Sequence, residues 1–170
     1  MSIDRSLGST VAIAQSTEQT CYPQTYGSVT YGNKYFLTKL NTSAWDDSSD
    51  TDKLKSLCEA TRIIDRFRFK WAKTDPDQFL EFPRNEETEV PDDITYACYE
   101  IAIALLDGYD YEKEFANLSV KSHRFSGTEV VYSDDGMPEY QLLGLPSALA
   151  WSYLRPFIVD TRQINLFRIS

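Results

Sequence analysis

The chain has 170 residues, of which 42% are hydrophobic and 25% are charged. This length and composition suit one folded domain whose core needs no metal or disulfide to hold it together. With 26 acidic against 17 basic residues, the formal net charge of −9 argues against a nucleic-acid-binding protein, which needs a basic face for phosphates. No apolar stretch has the length of a signal peptide or a membrane span, so we expect the protein to be made and kept in a cytoplasm.

Residues 1–26 are rich in Ser, Thr, Gln and Gly and show no helical period, which predicts an extended N-terminal arm. The domain that follows, 27–157, contains capping residues that precede apolar side chains at helical spacing. These patterns predict about four helices, over residues 29–40, 51–66, about 92–107 and 146–155. We therefore expect a mainly α fold, a small helical bundle.

A long segment, 67–91, separates the second predicted helix from the third. Phe67, Phe69 and Trp71 alternate with polar residues as in a strand, and a turn is predicted at Asp75-Pro76-Asp77. A loop of this length is usually packed down by its own apolar side chains. We expect four residues to anchor this loop or to contact another subunit: Trp71, Phe82, Pro83 and Arg84. The arginine is expected to reach an acid of its own or a neighbouring subunit.

The last third of the chain combines a strand pattern with an apolar end. Alternation of apolar and polar residues between 117 and 132, around a Gly-containing turn, predicts a β-hairpin. Residues 158–170 form a C-terminal tail that is rich in apolar side chains. A segment of this kind should not lie free in water, so we expect the tail to fold back or to dock on a partner.

No catalytic, cofactor-binding or metal site is predicted. His123 is the only histidine, and the chain has no nucleophile motif with which it could act. The pair Asp134-Asp135 lacks the alternating ligands of a calcium loop. Cys21, Cys58 and Cys98 do not have metal-ligand spacing, and the last two fall on apolar helix faces. We therefore expect a protein that is not an enzyme; a small hydrolase is the weakest alternative.

One stretch of sequence resembles a known family. The run KTDPDQFLEFPR, from Lys73 to Arg84, resembles the "TDPDQ…L.FPR" segment of a head–tail adaptor family of tailed bacteriophages. Further pieces follow the family's order: Tyr35-Phe36, Ala60-Thr61-Arg62-Ile63-Ile64-Asp65, Val90-Pro91 and Leu154-Arg155-Pro156-Phe157. The resemblance covers residues 27–157, and its specificity comes from the order and spacing of the pieces together.

The resemblance implies a virion structural protein, a connector that completes the head and is assembled in the host cytoplasm. Such adaptors form a ring, typically a dodecamer, between the portal protein and the tail or next connector protein. The ring extends the DNA channel and passes the genome without binding it specifically, with no cofactor and no membrane involved. In this interpretation the apolar residues that dock on the portal are Phe157, Ile164, Leu166, Phe167 and Ile169.

Some members of the same family are described as single-stranded-DNA-binding, primosomal-like proteins, and this gives the alternative function. Such a protein needs a basic groove with stacking aromatic side chains. The only candidate is the strip from Arg62 to Trp71, in which basic residues alternate with apolar and aromatic ones. The same pattern is typical of a solvated helix face that runs into a buried strand. The acidic net charge favours the adaptor, and a gel shift at low salt distinguishes the two functions.

Overall fold

The computed structural model describes residues 24–110, 113, 122–125, 128–131 and 138–159. Six helices lie within these residues: α1 Val29–Phe36, α2 Ser43–Asp46, α3 Asp50–Asp65, α4 Asp92–Leu106, α5 Glu139–Leu142 and α6 Ala148–Leu154. The mainly helical class expected from the sequence is therefore confirmed. In the part of the chain that the structure describes, no helix is long and apolar enough to cross a membrane.

The centre of the fold is α4, which packs against α3 and against α6. Its apolar residues recur three or four positions apart, and five of them are fully buried: Ile94, Ala97, Cys98, Ile101 and Ala102. Their buried partners are Leu57, Ala60, Ile63 and Ile64 on α3 and Ala150 and Leu154 on α6. Burial of a Leu or Ile side chain contributes about 1.5–3 kcal/mol, so this three-helix contact holds the domain together.

The short helix α1 approaches the core closely because Gly32 has no side chain. A Cβ atom at this position would lie 2.7 Å from the ring of Trp45, which is itself fully buried on α2. The indole Nε1–H of Trp45 donates to the Oδ1 atom of Asn33 at 2.8 Å. Glycine weakens a helix in isolation, and here it allows the helix to contact the indole.

The long helices lie close to their predicted positions, whereas the short elements differ. Helix α1 ends at Phe36 and not at residue 40, and the side chain of Leu40 is 89% exposed. The single-turn helices α2 and α5 were not predicted, and α6 is shorter than the predicted 146–155. The helices of 16 and 15 residues, α3 and α4, carry the strongest periodic pattern, which explains their agreement.

Two short strands accompany the helices. Strand β1, Ser122–Phe125, pairs antiparallel with β2, Thr128–Val131, within the segment for which the sequence predicts a hairpin. A separate backbone pairing joins residues 68–70 to 157–159. Here the amide of Lys70 donates to the Phe157 carbonyl at 2.8 Å, and that of Val159 donates to the Arg68 carbonyl at 2.9 Å. The loop after α3 is thereby held against the chain that follows α6.

The predicted arm and tail fall largely outside the described residues. Only the last three residues of the arm, 24–26, are described, and Tyr26 among them is 5% exposed and belongs to the hydrophobic core. The tail is described only at Ile158 and Val159. The packed part of the chain therefore includes the end of the segment that the sequence assigns to the arm.

Candidate nucleic-acid interface

The segment between α3 and α4, which we call the α3–α4 loop (residues 66–91), is organised around Phe82. This side chain is 3% exposed, and its ring meets those of Phe69, Phe157 and Tyr26 edge-on, with centroids 4.7, 5.6 and 6.0 Å apart. Edge-to-face aromatic pairs contribute beyond the area that they bury. The loop therefore has an apolar core of its own, which packs against Tyr26 before α1 and against Phe157 after α6.

Tyr26 connects this loop to the end of α3. Its hydroxyl donates to the carboxylate of Asp65 and accepts from the amides of Glu81 and Phe82 at 3.0 and 3.3 Å. Burial raises the pKa of Asp65, while the hydrogen bond from Tyr26 acts to lower it. Burial likewise raises the pKa of Tyr26, so the phenol stays protonated and keeps its role as donor. This contact could not be predicted from the sequence, because Tyr26 lies 39 residues before its carboxylate partner.

Arg84, one of the four predicted anchoring residues, is buried and satisfies the backbone of the loop. Its guanidinium donates to the carbonyls of Lys70, Trp71 and Glu81, and its Nη1 atom lies 2.6 Å from the Glu81 carboxylate. The acid that it reaches is thus one of its own chain. Pro83 follows a cis peptide bond, and its carbonyl accepts from the amide of Thr74 at 3.2 Å.

Of the four predicted anchoring residues, Trp71 is the one whose side chain is exposed. Its backbone has φ of +60°, and its side chain is 54% exposed. In an extended strand it would lie on the same face as Phe69, which is 7% exposed. The positive φ ends the alternation and leaves a large aromatic side chain at the surface. An exposed indole of this kind can stack on a nucleic-acid base.

A second exposed aromatic residue lies in the turn farther along the loop. Phe79 is 78% exposed, and it follows Gln78, whose side-chain amide donates to the carbonyls of Leu80 and Pro83 at 2.9 and 3.0 Å. Residues 72–74 and 83–85 pair across the base of this turn, through the bridge between Lys73 and Arg84. The α3–α4 loop therefore presents two aromatic rings from a hydrogen-bonded frame.

Basic residues surround Trp71 in sequence. Between residues 66 and 74 there are four basic residues and no acidic one. Arg66, Arg68 and Lys70 are exposed, and the Nζ atom of Lys70 is 2.7 Å from the Pro156 carbonyl. Lys73 is half-buried and forms an ion pair of 3.0 Å with Glu81. Three exposed cationic side chains therefore lie close to Trp71 in the sequence, and Lys73 forms its ion pair within the loop.

The basic strip is short, because acidic residues follow it closely. Asp75 and Asp77 lie in the turn that carries Phe79, and Glu86, Glu87 and Glu89 lead into α4; all five are exposed. These negative carboxylates repel the negative phosphates of a nucleic acid over about one Debye length, roughly 8 Å at physiological ionic strength. A bound strand should thus be confined to the side of the loop formed by residues 66–71.

The other predicted site residues occupy different positions. Phe157 packs its ring on Phe82 and is half-buried, whereas Ile164, Leu166, Phe167 and Ile169 lie outside the described residues. Within the described ranges no cluster of His, Cys, Asp or Glu is arranged to hold a metal ion. Burial raises the pKa of the Cys98 thiol to about 12, which keeps it neutral and poorly reactive.

Comparison with known proteins identifies a family whose model matches this chain. The model of a family described as "Putative DnaT-like ssDNA binding protein" matches residues 16–154, most of the chain. No curated protein and no solved structure matches it. The matched segment contains all six described helices, α1 to α6, and the α3–α4 loop.

This match overturns the head–tail adaptor interpretation. The motifs that carried the resemblance, over 27–157, fall almost wholly within the matched segment, so they identify the region but not its role. The portal, the tail or connector protein and the ring of identical subunits are therefore not supported as partners, and passage of DNA without binding is contradicted. The adaptor was inferred from the motif resemblance, and the net charge of the whole chain then weighed against the single-stranded-DNA alternative, although it does not report on a local basic strip.

Proposed function

Since the chain belongs to this family of DnaT-like single-stranded-DNA-binding proteins, we propose that it binds single-stranded DNA through the α3–α4 loop. The observation that carries the location is the exposed indole of Trp71 among Arg66, Arg68 and Lys70. Single-strand binding needs aromatic platforms for bases and cations for phosphates, and this loop supplies both. The protein then acts by binding and not by catalysis.

Trp71 is the proposed stacking platform. Every base has a π-face, so stacking on an indole tolerates sequence differences and requires a base that is not paired in a duplex. Phe79 offers a second ring in the same loop, but acidic residues flank it at positions 75 and 77. We therefore assign the stronger base contact to Trp71.

Arg66, Arg68 and Lys70 are the proposed phosphate contacts. Residues 68 and 70 lie on the face of the extended segment opposite the buried Phe69, because successive side chains alternate in direction. Each phosphate neutralised on a single strand contributes about −0.7 to the slope of log affinity against log salt concentration. Three contacts should therefore give a slope of about −2.

The experiment measures fluorescence anisotropy of a labelled oligothymidylate of about 20 nucleotides, titrated with the whole chain at low salt. Trp71→Ala should weaken binding by about 5- to 150-fold, since stacking of one base contributes about 1–3 kcal/mol. Tyr31→Ala is the matched control, because Tyr31 is 65% exposed but lies on α1. It should leave the affinity unchanged.

A second pair of variants tests the cations. Arg68→Ala should reduce the salt slope by about 0.7. Lys55→Ala removes an exposed cation about 16 Å away from Arg66 along α3, at 1.5 Å per residue, and should leave the slope unaltered. Equal effects of the two substitutions, or equal losses with Trp71→Ala and Tyr31→Ala, would contradict binding at this loop.

A further inference from the structure

We propose that Arg84 is a positioning residue for Trp71, and that its guanidinium holds the backbone that presents the indole to a base. The inference rests on the function proposed above and assigns a role to a residue that does not itself touch DNA.

The contacts of Arg84 converge on the backbone of Trp71. Its Nε atom lies 3.0 Å from the Lys70 carbonyl oxygen and 3.1 Å from that of Trp71, and its Nη2 atom lies 2.5 Å from the latter. The left-handed region is disfavoured for a residue that carries a Cβ. It persists only where the surroundings fix it, and here the guanidinium does so.

The guanidinium is not available to a phosphate. Arg84 is 9% exposed, and its Nη1 atom donates to the carbonyl and the carboxylate of Glu81 at 3.1 and 2.6 Å. Its Cζ atom lies 5.8 and 6.0 Å from the ring centroids of Phe69 and Phe82. Because the side chain is buried and Nε, Nη1 and Nη2 all donate within the loop, Arg84 influences DNA binding only through the loop.

Fixing the indole before DNA arrives removes an ordering step from binding. A side chain that is already held in its bound position loses less conformational freedom when the partner docks. Lysine cannot replace Arg84 in this role, because an ammonium group lacks the planar fork that reaches two carbonyls at once. Arg84→Lys therefore keeps the positive charge and removes the planar group that reaches both carbonyls.

The first test is a double-mutant cycle with Arg84→Lys and Trp71→Ala, read out as oligothymidylate affinity. Arg84→Lys alone should weaken oligothymidylate binding about tenfold. A change of this magnitude lies within the range of coupling that residues in contact show. In the Trp71→Ala background the same change should have almost no effect, because the group that it positions is gone. An undiminished effect in that background would overturn the proposal, since it would show a direct phosphate contact or a general loss of structure.

The second test needs no DNA. The emission anisotropy of Trp71, obtained by subtracting the signal of Trp71→Phe, should fall in Arg84→Lys because the backbone at 70–71 is released. Thermal unfolding by circular dichroism shows whether the variant is folded. If it is not, Glu81→Gln takes its place, since it removes the carboxylate that holds Nη1, and the anisotropy should fall in the same direction.

The two tests separate this inference from the proposed function. Failure of every form of the protein to bind the oligonucleotide would overturn the function, and with it the role of Arg84 in DNA binding. Normal binding with unchanged Trp71 anisotropy in the variant would overturn the positioning role alone. A fall in Trp71 anisotropy, together with coupling between Arg84 and Trp71 in the double-mutant cycle, supports both the proposed function and the positioning role.

Discussion

At the scale of single residues, Trp71 shows how one backbone angle changes the use of an aromatic side chain. The alternation of Phe67, Phe69 and Trp71 is visible in the sequence, and a strand pattern would place all three on one face. The positive φ that turns Trp71 outward is not visible there, because Arg84 fixes it from 13 residues away. The exposed platform could therefore be found only from the structure.

Asp65 gives a pH-dependent prediction at the same scale. Burial raises its pKa above that of an exposed carboxyl, so the folded state binds a proton more tightly than the unfolded state does. Its contribution to stability is then present below the unfolded pKa, about 3.9, and is lost as the pH rises through the folded pKa. We expect the free energy of unfolding of the wild type to fall relative to that of Asp65→Asn as the pH rises from 4 to 7.

Urea unfolding of both proteins across this pH range measures the difference. The asparagine can still accept from Tyr26, so the comparison isolates the charge. The expectation fails if the difference in free energy of unfolding stays constant, or if the wild type becomes more stable relative to the variant as the pH rises. Either result would show that burial does not dominate the titration of Asp65.

At the scale of elements, the sequence predicted α3 and α4 well because each carries apolar residues at helical spacing over about four turns. It could not predict α2 and α5, since a single turn of four residues has too few positions to show a period. The end of α1 was placed too late because the apolar Leu40 extends the helical pattern, although its side chain is 89% exposed. Tertiary contacts, and not the local sequence pattern, determine where these short helices form and end.

The contact between α1 and α4 depends on a buried charge. Glu100 is 7% exposed, accepts from the Tyr35 hydroxyl at 2.6 Å and forms an ion pair with Lys39. Lys39→Met should lower the free energy of unfolding by about 2–3 kcal/mol, because it leaves the carboxylate without its cation. Chemical denaturation measures this loss.

Two further variants act as controls for that prediction. Glu100→Gln in the Lys39→Met background should recover part of the stability, since the amide is neutral and still accepts from Tyr35. Lys55→Met breaks an exposed pair with Asp52 and should change stability by less than about 1 kcal/mol. Similar losses from Lys39→Met and Lys55→Met would mean that burial does not strengthen the Glu100 pair.

At the scale of the whole molecule, a net charge of −9 and a DNA-binding role are compatible only if the cations are concentrated. Arg66, Arg68 and Lys70 are exposed and lie within five residues of Trp71, and no acidic residue occurs between positions 66 and 74. The motifs in the sequence lie within the segment that the family model matches, but the total charge favoured the wrong function. Total charge governs long-range attraction and solubility, whereas a binding site depends on local geometry.

This arrangement also predicts the kind of nucleic acid that is bound. A duplex presents phosphates on two strands but keeps its bases stacked, so it cannot use the indole of Trp71. A duplex would also bring more negative charge close to a chain whose net charge is −9. We therefore expect a clear preference for single strands.

The most direct measurement is the affinity of the whole chain for a labelled single strand of about 20 nucleotides and for the duplex of the same length, across a range of salt concentrations. We expect sub-micromolar binding of the single strand at low salt, a slope of about −2 in the log–log plot, and weaker binding of the duplex. Absence of single-strand binding at low salt, or equal affinity for the duplex, would contradict the proposal that this protein binds single-stranded DNA.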